Sequence, residues 1–510
     1  MTPDAHLRTR REALCWLAQR TGFALAAIAL ADWLFFNAHA IGISLPLFLG
    51  TCGGLVVAVN PIRASARLRI FCALAFLLAL AALVEDVSWL SVLVAGLTSL
   101  HLAGLLVGGG GERWTVGLLR SAGRPFAGPF RLATDLARVR RLSACGRRGF
   151  KGAASLAAWI APVVLTLVFL GLFDAANPLI HEWLRALDPQ RLPELISLPR
   201  LGFWLVALCL IWPLVHLKRA RRRAAPVTAM QPPDLPEMQA LLGPAAVLRS
   251  LILFNALFAL QTGLDAAYLW GGLALPDGMT YAAYAHRGAY PLIVTALLAA
   301  AFVLAAMRPG GPAGASRRIR PLVLVFVAQN VALVASSILR TALYVEAYGL
   351  TQLRLAAFIW MGLVGLGLAL IVVKILCSKS NAWLLDANAI AVVATLYLCC
   401  FANFPYMVAR YNLTHWQERS DMGPVLDVAY LAALGPDALP AYAGIAVGAN
   451  PYRLAGWQVV RLQREQSSAE HMLEQANWRS WTFRNWRLKR VLAAHPLDAA
   501  PSGTAPASAN

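Results

Sequence analysis

The chain has 510 residues, 59% hydrophobic and 14% charged, with a formal net charge of +20. Soluble domains carry about 25% charged residues, and a water-facing surface cannot be built from so little polar material, so an ordinary soluble globular protein is excluded. The positive charge does not mark a nucleic-acid binder, because Lys and Arg lie between apolar segments rather than along one soluble face; beside membrane helices they fix orientation and meet anionic headgroups.

The N-terminus is basic (Arg8, Arg10, Arg11, Arg20) and leads into an apolar run from Gly22 to Phe36. Ala38-His39-Ala40 has the form of a signal-peptide cleavage site, but Trp33, Phe35 and Phe36 crowd it, and an uncleaved first helix is the expectation. Eleven stretches are long and apolar enough to span a bilayer core of about 30 Å: 21–37, 41–60, 68–84, 88–107, 155–173, 201–217, 249–272, 289–307, 321–343, 354–373 and 387–408. With the N-terminus inside, the six cytoplasmic segments hold 29 Lys and Arg, whereas the outer loops and the outer span ends beside them hold six: Arg185, Arg191, Arg200, Arg287, Arg340 and Arg354. That asymmetry favours a cytoplasmic N-terminus. None of the eight cysteines then lies outside, and no CxxC or zinc-type Cys/His spacing occurs, so neither a disulfide framework nor a metal site is expected.

Two cytoplasmic connections stand out. In 108–152, four glycines (Gly108 to Gly111) precede a basic stretch, where Leu132, Leu136, Val139 and Leu142 recur at helical spacing among Arg131, Arg138, Arg140 and Arg141. This predicts a helix lying on the inner membrane surface. The glycines lack the Lys-Ser/Thr ending of a phosphate loop and read as a hinge. Residues 218–245 are basic and then Pro-rich, as a stiff linker would be.

Past Arg410 the long apolar runs stop. Short helices are predicted at 424–434 and 437–447, separated by Gly435-Pro436-Asp437, and a longer one at about 452–475. The run Trp478 to Arg490 interleaves aromatics with Arg and Lys, which suits docking on lipid headgroups or on the protein's own membrane face. The last residues, rich in Ala, Pro and Ser, read as disordered. The expected organisation is a four-span region at 1–152, a core membrane region of about seven spans at 153–408, an extracytoplasmic helical domain at 409–492 and a tail at 493–510.

Ionisable groups within the membrane are costly and are the first functional candidates. Asn330, Ser337 and Tyr344 are seven apart, with Arg340 between the last two, and so share one face of the ninth span. The stripe continues into Glu346, Tyr348 and then Arg354. Arg suits capture of a carboxylate or phosphate, and Glu346 could neutralise one Arg and leave the other free. Pairing that merely locks helix ends is the alternative. The run Gln329-Asn330, Leu339-Arg340, Leu343 to Thr351 and Arg354, followed by Trp360-Met361, resembles a bacterial membrane family, the domain-of-unknown-function group numbered four-one-seven-three with its relative four-one-five-three. Val408 to Leu413, Leu426 to Leu431 and Leu434 to Ala438 are also similar. The resemblance covers roughly 170–490 and implies a polytopic membrane protein without assigning an activity.

Secondary acidic candidates are Glu85-Asp86 in a tight outer turn, and Asp32 and Asp265 near outer helix ends. Asp265 follows Gln261 on one face, so its helix could line the same cavity as Arg340. No HExxH, GxSxG, Walker loop or kinase set appears. The expected protein is thus an all-α polytopic bundle of the bacterial inner membrane, more binder than enzyme, holding an anionic lipid or small anion through Arg340 and Arg354. Membrane lipids are its expected partners, with an unidentified envelope protein as a further one and no nucleic acid or cofactor. Two other readings stay open: a membrane glycosyltransferase-like enzyme with Glu85, Asp86 or Asp32 as base, and a sensory or scaffolding subunit.

Overall fold

The computed structural model describes residues 19–36, 40–110, 113–135, 198–215, 217, 244–267, 298, 302, 318–416, 426–445 and 452–497. The expected span at 155–173, nearly all of that at 289–307, the linker at 218–243 and the surface helix beyond residue 135 lie outside them. Every regular element among the described residues is helical. Among the described residues six helices are long and apolar enough to cross a membrane, which marks the chain as membrane-associated.

The chain divides into two compact units, residues 1–221 with 476–483 and residues 222–475 with 484–510. In the first, α1 (19–36) ends in a π-helical turn, Asp32–Phe36. It is followed by α2 (Ser44–Val59), α3 (Ala66–Glu85), α4 (Trp89–Gly108), α5 (Trp114–Ala122), α6 (128–135) and α7 (Leu198–Val215). Local chemistry sets the ends. Ser65 caps α3 by accepting from the Leu68 amide, and Ser88 with Ser91 forms a reciprocal cap on α4. Gly109 closes α4 in the left-handed region at φ 79°, so the glycine run begins as a helix stop. At the other end of α2, Arg20 donates to the carbonyls of Val59 and Val215. Asn60 donates to Leu214 (2.9 Å) and accepts from the Leu217 amide (3.1 Å). These bonds tie α1, α2 and α7 together by satisfying helix-end carbonyls that would otherwise be left without donors.

The second unit holds α8 (Pro244–Asp265), α9 (Ile319–Tyr348), α10 (Gln352–Leu376) and α11 (Asn381–Cys399), each packed on the next. Then come α12 (Phe404–Thr414), α13 (Val428–Ala433), a 3-10 turn (Pro436–Ala441), α14 (Gly456–Glu474) and α15 (Phe483–Ala494). Phe254, Phe258, Phe302 and Phe326 meet at edge-to-face or stacked distances of 5.1–6.4 Å and fill the space between α8 and α9. The later helices close over Leu413, Leu431, Leu439, Leu462, Leu488 and Leu492.

The outer faces are apolar. Ile70, Leu77 and Leu78 of α3 are 58–62% exposed, and only 6% of the apolar window of α11 is buried. Water would charge about 25 cal/mol for each Å² of such surface; acyl chains solvate it without that cost.

Two expected boundaries move. The ninth apolar stretch continues as helix through Tyr348, 30 residues in all, or about 45 Å at 1.5 Å per residue. No breaker occurs before Gly349, whose φ of 75° ends it. The stretch expected to span 387–408 is two helices: Ser380 caps α11 by accepting from Trp383, and Asn403 with Pro405 starts α12 anew. The predicted element at 452–475 is present as α14, Asp427 caps α13, and Gly435 at φ 79° separates α13 from the 3-10 turn.

Candidate functional site

The polar stripe of α9 faces inward. Asn330, Ser337 and Arg340 are buried, and Tyr344 is half-buried. Asn330 and Ser337 spend their donors on their own helix, Nδ2 to the Phe326 carbonyl (2.7 Å) and Oγ to that of Leu333 (2.9 Å), the back-bonding by which a polar group is tolerated in an apolar helix. Arg340 forms an ion pair with Asp265 at the end of α8, both side chains at most 5% exposed. Gln261 donates to the same carboxylate at 3.0 Å. The carboxylate expected to neutralise an Arg was Glu346; it is exposed on the far face of the last turn of α9 and makes no ion pair among the described residues. The 3.6-residue repeat is the reason, since residues 340 and 346 point some 120° apart.

Beyond Arg340 the joint between α9 and α10 is three residues, Gly349 to Thr351. Tyr344 and Tyr348, one turn apart, hold their rings 4.8 Å from one another at a 36° tilt, and the Arg354 guanidinium lies 4.3 Å above the Tyr344 ring. Arg354 Nη1 donates to the carbonyls of Tyr348 (3.1 Å) and Gly349, which are helix-end carbonyls. Its Nε and Nη2 make no hydrogen bond among the described residues. Leu353, 84% exposed, and Tyr348, 56% exposed, place apolar surface beside that charge.

The joint is held from the side by later helices. Asn412 of α12 bridges Leu350, accepting from its amide (2.7 Å) and donating to its carbonyl (2.9 Å). The Tyr430 hydroxyl accepts from the Gln352 amide at 3.0 Å. Tyr411, stacked on His415 at 4.2 Å, lies near Glu346. Burial and, after it, the Glu346 carboxylate push its phenol above the usual value, so it stays protonated. Asn412 and Tyr430 received no role from the sequence reading, although both fall within the stretches that carry the resemblance. What marks them is a buried backbone needing partners, and only the fold shows that. Asn412→Ala leaves the Leu350 amide and carbonyl without partners; the expected result is a loss of about 1–3 kcal/mol, read as a lowered midpoint of thermal unfolding in detergent. Asn412→Asp keeps the acceptor and is expected to lose less.

The secondary acids lie apart from this joint. The Asp32 carboxylate is gripped on both oxygens by Arg200, with Trp204 Nε1 donating to Oδ1 at 2.8 Å; a carboxylate so engaged is a poor general base. Glu85 ends α3 and is buried, and Asp86 follows as its extended cap. Among the described residues no group of three or more His, Cys, Asp or Glu could hold a metal ion, and the six cysteines there are free thiols.

Comparison with known proteins gives one match. A family model described as Domain of unknown function (DUF4153) covers residues 72–445, nearly three quarters of the chain. No curated protein and no solved structure matches. The match begins within α3, so it reaches further toward the N-terminus than the motifs of α9 and α10 imply, and it takes in the polar stripe, the joint, Asn412 and Tyr430. With that coverage, the chain belongs to the DUF4153 family.

Proposed function

We propose that this chain is a multi-pass protein of the bacterial inner membrane that binds an anionic lipid headgroup at the joint between α9 and α10. About eleven spans, a cytoplasmic N-terminus and an extracytoplasmic region after α11 complete the reading, which rests on the Lys and Arg distribution.

The single observation that carries it is the state of Arg354. Its guanidinium has no carboxylate partner among the described residues and is oriented by one aromatic face and two carbonyls, all engaged without Nε or Nη2. Those two nitrogens are the fork that grips a phosphate bidentately. The exposed Leu353 and Tyr348 beside it suit acyl chains and the headgroup boundary, so a lipid fits better than a free anion. Arg340 is a holding residue in this reading, because Asp265 already meets its charge. Binding is the function this arrangement supports best.

The test is mass spectrometry of lipids that co-purify with the protein from native membranes. Arg354→Gln is expected to reduce bound anionic lipid by roughly tenfold to a hundredfold, as for one charged hydrogen-bonded contact of about 1.5–3 kcal/mol, and Arg354→Lys to retain part of it. Unchanged anionic lipid on well-folded Arg354→Gln protein would refute the assignment.

A further inference from the structure

We infer that the other end of α10 carries a second anion site, built on Lys374 and made for a phosphate group. Lys374 sits in the last turn of α10, 20 residues and about 30 Å along the helix from Arg354. It is 5% exposed, and its Nζ is buried with no hydrogen-bond partner. No ion pair meets it among the described residues. Its neighbours along the helix, Leu368, Ile371 and Ile375, belong to the apolar core shared with α8, α9 and α11. A Lys at a helix end ordinarily extends its ammonium to water or headgroups; this one does not.

An ammonium buried without a partner costs several kcal/mol, and an anion joining it would relieve that cost. The surroundings favour one. Arg320, at the start of α9, donates to the Ile375 carbonyl at 2.9 Å and so brings a second cation beside the same turn. The chain then turns through Ser378 at φ 52°, closes with the Lys379 amide on the Lys374 carbonyl (3.0 Å), and starts α11 at its Ser380 cap. The start of α11, with the positive end of its dipole, thus follows Lys374 by six residues in the same short turn. A compact point charge, a guanidinium and a helix N-terminus together suit the three acceptor oxygens of a phosphate. The phosphate belongs either to a lipid headgroup or to a free ion, and the two sources separate by experiment. This site shares no residue with the Arg354 site and stands if that one falls.

The test uses the full chain purified in detergent and in nanodiscs, with thermal unfolding as readout. Wild-type protein is expected to gain stability from phosphatidic acid over phosphatidylcholine in nanodiscs, or from inorganic phosphate over chloride at matched ionic strength in detergent. A gain only in the first arm names a lipid, and a gain in the second names the free ion. Lys374→Met is expected to unfold at a higher temperature than wild type without ligand, because a buried uncompensated charge is gone, and to lose the phosphate-dependent gain. Lys374→Arg is expected to keep that gain, and it serves if the Met variant folds poorly. Arg354→Gln is expected to leave intact the part of the gain that Lys374→Met removes. A wild-type protein indifferent to both phosphate sources, or a Lys374→Met variant that retains the full gain, would overturn the site.

Discussion

Asp265→Leu is expected to lower the yield of folded protein more than any substitution at the joint between α9 and α10. The change leaves Arg340, 4% exposed on the inner face of α9, without the carboxylate that meets it. Removing one partner of a buried pair costs about 3–5 kcal/mol, because the remaining charge loses its counter-ion in a low-dielectric site. The loss falls at the contact of α8 with α9, where Gln261 also loses its acceptor. Arg340→Met alone leaves the Asp265 carboxylate without its guanidinium, though Gln261 still donates to it, and is expected to be somewhat less damaging. The double variant, Asp265→Leu with Arg340→Met, is expected to recover most of the yield, since two apolar side chains of similar volume can replace a buried pair at little or no cost. Size-exclusion profiles and thermal midpoints of the four proteins in one detergent make the check. If the double variant is no better than the worse single one, the pair does more than hold helices, and Arg340 returns as a ligand-binding residue.

The second large effect is expected at Gly42. This residue precedes α2 and donates its amide to the Arg479 carbonyl at 2.8 Å, and Ile43 donates to that of Trp481 at 2.7 Å. The two bonds seat residues 476–483 in the first unit, with Arg479 lying 4.8 Å above the Trp33 ring and 5.8 Å above that of Trp478. A methyl group at Gly42 would stand 2.5 Å from the carbonyl oxygens of Ser480 and Trp481, and backbone cannot swing aside as a flexible side chain can. Gly42→Ala is therefore expected to unseat the segment and break both bonds, a loss of about 1–3 kcal/mol or roughly tenfold to a hundredfold in its docked population. Tryptic cleavage after Arg479, followed by intact-mass analysis, should quicken by that factor. A cleavage rate equal to wild type would mean that α2 and the segment can part by an ångström without losing register.

The match between sequence and structure varies from element to element in a way that physics accounts for. The caps at Ser65, Ser88, Thr351 and Ser380 are local, so each helix start could be found within a few residues of chain. The heptad of Asn330, Ser337 and Tyr344 read correctly as one face because helical periodicity is also local. The apolar stretch ends at 343 whereas α9 runs to Tyr348, because a helix ends where the backbone must break, at Gly349, rather than where apolar residues run out. The polar contacts fared worst. Glu346 stood closest to Arg340 in sequence, yet Asp265, 75 residues away, is the partner. Asn412 closes on Leu350 across 62 residues, and nothing in either residue's own neighbourhood announces it.

Sequence alone determined that this chain belongs in lipid, because apolar length is a property of each segment by itself, and it located most helix ends, because caps and breakers act within a turn. Tertiary structure alone decided which charge meets which. Among the described residues it set Asp265 against Arg340, left Nε and Nη2 of Arg354 without a hydrogen bond, and buried Lys374 without a carboxylate partner. Electrostatic partnership inside a low-dielectric bundle depends on distances of a few ångströms between helices far apart in the chain, and those distances exist only once the helices have packed.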